Sequence, residues 1–102
     1  MQTWSNCTAD IFYSNGTTSL IDDAGYIVRL DDEILEIAYD DDEGAVCYRG
    51  KNTGDGHFEL TAPERDGHAV LHRTPGSTHL HGYWKESGYQ GMWRISLGQP
   101  QH

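Results

Sequence analysis

Between His57 and Leu97 the chain reads HFELTAPERDGHAVLHRTPGSTHLHGYWKESGYQGMWRISL. Four short segments alternate apolar and polar residues. Three compact turn signals separate them: Ala62-Pro63-Glu64-Arg65-Asp66-Gly67, Thr74-Pro75-Gly76-Ser77 and Lys85-Glu86-Ser87-Gly88. Successive side chains of a strand point to opposite faces. Period-two alternation broken by Pro, Gly and Asp therefore specifies antiparallel strands joined by tight turns.

The preceding residues continue the pattern. Residues 3–13 lead to Ser14-Asn15-Gly16-Thr17, and Asn-Gly is a hairpin signal because a type I′ turn needs positive φ at both central positions. Further turns are predicted at Asp22-Asp23-Ala24-Gly25, Asp31-Asp32, Asp41-Asp42-Glu43-Gly44 and Asn52-Thr53-Gly54-Asp55-Gly56. No window holds a helical period. Even Leu30 to Tyr39 alternates, with Glu33, Leu35, Ile37 and Tyr39 on one side and Ile34, Glu36, Ala38 and Asp40 on the other. The expectation is one all-β domain over residues 1–102, with about eight or nine strands connected up and down.

Turn lengths fix which residues oppose each other. They place Tyr39 opposite Val46, and two longer rows on the same face: Ile37–Tyr48–Leu60–Ala69–Gly82–Gly91 and Leu35–Gly50–Phe58–Leu71–Leu80–Trp93. Trp84 falls opposite Tyr89. Tyr26 and Val28 join this face opposite Ile37 and Leu35. One apolar face on so many twisted strands must be covered, and no helix is available. The sheet closes on itself or folds into two layers. Sequential hairpins favour a small up-and-down antiparallel β-barrel, because closure removes both edges.

Trp4 on the first strand, followed at the far end by Gly82-x-Trp84 and by Gly91-x-Trp93-x-Ile95-x-Leu97, resembles the small lipocalin-like (calycin-type) β-barrels. Gln2 stands where that pattern has a glycine. The resemblance implies a compact ligand-binding barrel, sensor domains included.

The formal charge is −9, from 16 acids against seven bases. Such a surface repels nucleic acid and anionic membranes, so neither is an expected partner. No run approaches the ~20 apolar residues of a membrane helix, and the first residues lack a signal-peptide pattern. Cys7 and Cys47 are read as two reduced thiols, with Cys47 structural, which fits a cytoplasmic setting.

Small residues beside aromatics suggest a hollow. Ala69, Gly82 and Gly91 are expected as inner neighbours, flanked by Tyr48, Trp84, Tyr89 and Trp93. These four aromatics are the predicted ligand-binding residues, for a flat apolar or aromatic small molecule. Asn6 and Asp10 are the predicted polar contacts, provided strand 1 continues without a bulge from an inward Trp4. A bulge would bring Ala9, Ile11 and Tyr13 inward instead. The alternative is a filled barrel acting as an interaction or oligomerisation domain, with a homodimer through the outer His/Arg face.

That outer face is expected to carry Lys51–His57–His72–His79–Arg94 and, beside it, Glu36–Arg49–Glu59–Val70–His81–Met92. Three imidazoles and Glu59 are zinc-type ligands, which raises a small metal-dependent enzyme as a second alternative. The flanking cations and a flat sheet oppose it, so no metal site is assigned. The runs Asp22-Asp23, Asp31-Asp32 and Asp40-Asp41-Asp42-Glu43 are read as turn residues rather than calcium ligands. No nucleophile, phosphate or dinucleotide motif is present. The sequence leans towards a binding module without deciding whether the chain is an enzyme, and no catalytic residue and no cofactor is assigned.

Overall fold

The computed structural model describes residues 2–13, 20–41 and 44–101. The strands run in chain order: β1 (Gln2–Tyr13), β2 (Leu20–Leu30), β3 (Ile34–Asp41), β4 (Gly44–Gly54), β5 (His57–Ala62), β6 (Gly67–His72), β7 (His79–Glu86), β8 (Tyr89–Ser96) and β9 (Gln99–Gln101). A short 3-10 turn, Pro63–Arg65, joins β5 to β6. Every pairing is antiparallel, and each strand from β2 to β7 bonds the next. β1 pairs with both β2 and β8, so eight strands close into a barrel. β9 lies along Thr3–Ser5 of β1, continuing the β8 side. The expected turn Ser14–Thr17 and residues Asp42 and Glu43 lie outside the described residues.

The inner face is the apolar one expected from the alternation. Leu35, Ile37, Phe58, Leu60, Leu71, Leu80 and Ile95 are all buried. Burying each such side chain stabilises the fold by about 1.5–3 kcal/mol before entropy is counted.

The faces match the sequence reading throughout, but four of the expected registers are displaced by two residues. Tyr39–Val46 and Ile37–Tyr48 pair as expected, as do Leu60–Ala69 and Phe58–Leu71. Elsewhere Val28 faces Ile37, Gly50 faces Leu60, Leu71 faces Gly82, and Gly82 faces Trp93. A shift of two preserves the face while changing every neighbour.

Local chemistry explains most of the shifts. Asp55-Gly56 (φ 51° and 84°) and Ser87-Gly88 (φ 49° and 88°) each have two positive φ values, so they close their hairpins in two residues. Asp31 widens its turn instead. Its Oδ1 accepts the Glu33 and Ile34 N–H groups, both at 2.8 Å. Between β6 and β7, Arg73 N–H still bonds Gly56 O at 2.9 Å before the Thr74–Ser77 turn begins. That contact postpones pairing with β7.

β1 takes the bulged alternative. Trp4 faces Val28 and Cys7 faces Tyr26, so Ser5 and Asn6 together oppose Ile27. Asn6 holds a left-handed φ of 53°. Beyond it the strand's parity is reversed. Cys7 and Ala9 are buried, and Ile11 and Tyr13 pack against the core. A compensating irregularity follows on β2, where Thr8 faces Ala24 and leaves Gly25 extra, at φ 80°.

Candidate functional site

Of the six predicted ligand-binding residues, three are brought together inside the barrel. Tyr48, Trp84 and Trp93 are buried. The Tyr48 and Trp93 rings meet edge to face with centroids 5.4 Å apart, and Tyr13 meets Trp84 likewise at 5.1 Å. Tyr89 lies at the start of β8, paired with Glu86 at the barrel end that carries the β5–β6 and β7–β8 turns, and is 59% exposed.

Asn6 and Asp10 are not inside, because the bulge reverses β1 after Trp4. Asn6 is exposed, and the Asp10 carboxylate accepts a bond from the Arg94 guanidinium across the β1–β8 seam. The polar lumen that an unbulged β1 would have created is therefore not formed.

The two glycines of the expected hollow are not neighbours, and the register shift is the reason. The expected pairing put the two glycines side by side. The observed pairing sets Gly82 beside Trp93 and Gly91 beside Trp84. Main chain also lies close to both glycines. A β-carbon at Gly82 would overlap the Val70 carbonyl, and one at Gly91 the Phe12 carbonyl. These glycines let strands coil past each other, as barrel closure requires.

Polar groups close the Tyr89 end. The Tyr48 hydroxyl donates to Glu86 Oε2 at 2.7 Å, and Arg65 Nη1 lies 3.9 Å from Glu86 Oε1. Burial, reinforced by the Glu86 carboxylate, holds the Tyr48 hydroxyl well above its ordinary pKa. Gly67 leaves the space that the Tyr48 hydroxyl fills. Trp84 Nε1 donates to Met92 O at 3.3 Å. Trp93 Nε1 is buried and finds no acceptor among the described residues. At the opposite end, Arg73 lies over the Trp4 ring at 5.7 Å.

Both cysteines are free thiols. Cys7 is buried, which raises its pKa, and its Sγ receives the Gly98 N–H at 3.3 Å. Cys47 is exposed, with a pKa raised by desolvation and by Glu36 and Glu64. Backbone N–H groups of Glu33 and Ile34 hold the Asp31 carboxyl below its ordinary value, as a turn-forming aspartate.

On the outer face the histidines form a ladder of different membership from the one expected. His57, His72, His81, Arg94 and Asp10 are successive cross-strand partners, and His79 instead faces Ser96. The His57 and His72 rings meet edge to face at 4.3 Å. Lys51 pairs with Glu59 in the neighbouring row. Among the described residues no three His, Cys, Asp or Glu side chains group as metal ligands.

That neighbouring row went unrecognised in the sequence. It runs Lys51–Glu59–Val70–Tyr83–Met92–Phe12 across six strands. Tyr83 and Met92, directly paired, are 46% and 54% exposed, and Val70 and Phe12 are half-buried beside them. A groove of about 520 Å³ leads to Tyr83 and is lined by Lys51, Glu59, Thr61, His68 and Val70. The signal was available. Val70, Tyr83 and Met92 are all apolar residues at outward positions, but the displaced register put His81 between Val70 and Met92.

No protein-family model, curated protein or solved structure matches the chain. Among the described residues no helix is long and apolar enough to cross a membrane.

Proposed function

We propose that this chain is an interaction domain with a filled barrel, engaging a macromolecular partner through the outer wall of β6–β8 and the adjoining part of β1. The observation that carries this reading is the Val70–Tyr83–Met92–Phe12 strip. A tyrosine and a methionine side by side, each about half exposed, give an apolar centre that water solvates poorly. Polar groups frame it: His81 and Arg94 on one flank, His68 and Lys85 on the other. An aromatic and Met-containing centre with a polar rim is the usual composition of a protein-binding surface.

A small ligand at the Tyr89 end is the second reading, and a sensor role would belong with it. It is supported by the exposure of Tyr89 beside Glu86 and by Trp93 Nε1, which has no acceptor among the described residues. The calycin-type relationship belongs to the same reading. Its support is the closed eight-strand barrel with Trp4 buried on β1.

The two readings separate in a nuclear magnetic resonance screen of the labelled chain against a peptide library and a set of small aromatic compounds. Peptide-induced shifts at Val70, Tyr83 and Met92 are expected. Shifts confined to Tyr13, Trp84 and Tyr89, and produced by the small compounds alone, would transfer the assignment to the barrel end.

A further inference from the structure

The outward positions of β6 and β7 repeat one pattern. On β6 they are His68, Val70 and His72, and on β7 they are His81, Tyr83 and Lys85. The strands pair so that like falls beside like: His68 with Lys85, Val70 with Tyr83, and His72 with His81. The wall therefore carries two basic rungs with an apolar rung between them. All four basic side chains are exposed. β8 extends the three rungs with Gln90, Met92 and Arg94.

No carboxylate interrupts these rungs. From Gly67 to Ser96 the chain holds one acid, Glu86, and its carboxylate receives the Tyr48 hydroxyl at the barrel end. On the β1 side Asp10 receives the Arg94 guanidinium. Arg94 is thereby committed, and recognition falls to the rungs of β6 and β7. On the other side Glu59 of β5 faces Val70 and bounds the site at β6.

Spacing selects the shape of the occupant. Successive outward residues of a strand lie about 6.4–6.8 Å apart. An extended chain repeats its own alternate side chains at that interval, whereas a helix advances about 5.4 Å per turn. We infer that this wall takes an extended segment of a partner protein that reads acid–x–apolar–x–acid. The inference rests on the outer-wall reading above and names the chemistry of the occupant. The apolar side chain covers Val70 and Tyr83. One flanking carboxylate accepts N–H bonds from His72 and His81, and the other from His68 and Lys85. Imidazole donates an N–H in either protonation state. A single-stranded nucleic acid also offers anions, but a net charge of −9 repels a polyanion, and Val70 gives a base no aromatic face.

Chemical-shift titration of the labelled full chain tests this with three probes. They are a peptide pool of that pattern built with Asp and Glu, the same pool with Lys and Arg in the acid positions, and a thymidine oligonucleotide. The acidic pool should shift Tyr83, Met92 and both basic rungs. The variant His81→Glu/Lys85→Glu, checked for native melting, should bind that pool at least about tenfold more weakly and gain affinity for the basic one, because like charges set together oppose binding. The basic pool or the oligonucleotide acting on the wild type in place of the acidic pool overturns the inference and leaves the outer-wall reading standing. An acidic pool that binds variant and wild type alike does the same. If none of the three probes shifts Val70, Tyr83 and Met92 while a wider peptide library does, the inference alone falls. If the library also fails there, both fall together.

Discussion

The Tyr48 hydroxyl donates a 2.7 Å hydrogen bond to Glu86 Oε2, tying the middle of β4 to the last residue of β7 across 38 positions of sequence. The two strands are not neighbours in the ring, so this bond spans the barrel end.

Tyr48→Phe keeps the ring and deletes this bond. A hydrogen bond to a charged group contributes about 1.5–3 kcal/mol, and the low end applies because Glu86 is partly exposed. A loss of about 1.5 kcal/mol is expected in urea unfolding. The variant should also change the alkaline limb of the stability curve. The folded chain keeps the Tyr48 proton where the unfolded chain, titrating near about pH 10, has released it. The associated stability is full below that pH and declines as pH rises above it. Tyr48→Phe should therefore decline less steeply there. Cys7 and Cys47, whose thiols burial also holds up, contribute the same sign from about pH 8.5 in both proteins.

Gly82→Ala and Gly91→Ala should each cost at least about 3 kcal/mol, since the new methyl group meets a backbone carbonyl rather than a movable side chain. Gly76→Ala is the contrast. Its β-carbon would meet nothing within 4 Å, and only its φ of +77° opposes the change, at about 1–2 kcal/mol. Equal melting temperatures for the Gly82 and Gly76 variants would contradict the close strand approach.

Asn6 supplies the left-handed residue of the β1 bulge. Asn6→Gly should be near neutral, whereas Asn6→Val should lose about 1–2 kcal/mol because a β-branched residue resists that conformation. Thermal melts of the pair distinguish backbone strain from any side-chain role.

Trp84 and Trp93 make a matched comparison. Each is buried beside a glycine, but the Trp84 indole N–H is satisfied and the Trp93 N–H finds no acceptor among the described residues. Replacement by Phe removes similar apolar area from both. Trp84→Phe also removes the bond to the Met92 carbonyl, while Trp93→Phe removes a buried donor with no acceptor among the described residues, a difference of about 1 kcal/mol. Trp93→Phe should be the milder change in denaturant titration.

The faces of the strands were legible in the sequence because alternation has period two, and a turn that is misjudged by two residues leaves every side chain on its correct side. Register was less legible. Whether a Gly-containing loop closes in two residues or in four or five depends on φ at Asp55 or Ser87, which composition does not state. That single ambiguity produced both main corrections. It placed Gly82 beside Gly91, suggesting a hollow, and it separated Tyr83 from Met92, hiding the exposed strip. The facing of β1 was undecided because Asn6 tolerates both the extended and the left-handed backbone. The burial of Tyr48, Trp84 and Trp93 was readable from their parity. The Tyr48–Glu86 bond was not, because it crosses the barrel between strands that never pair.

The seam between β1 and β8 bears on how the chain is made. Asp10 and Arg94 lie 84 residues apart, and the first strand has no second partner until residues 91–96 exist. During synthesis at about 5–20 residues per second the strip from Thr8 to Tyr13 therefore waits several seconds with one edge uncovered. Contacts of such long sequence separation also slow folding once the chain is free. Molecules interrupted before β8 would present that open edge to one another, so truncated products should be the aggregating species in a cell that makes this protein in quantity.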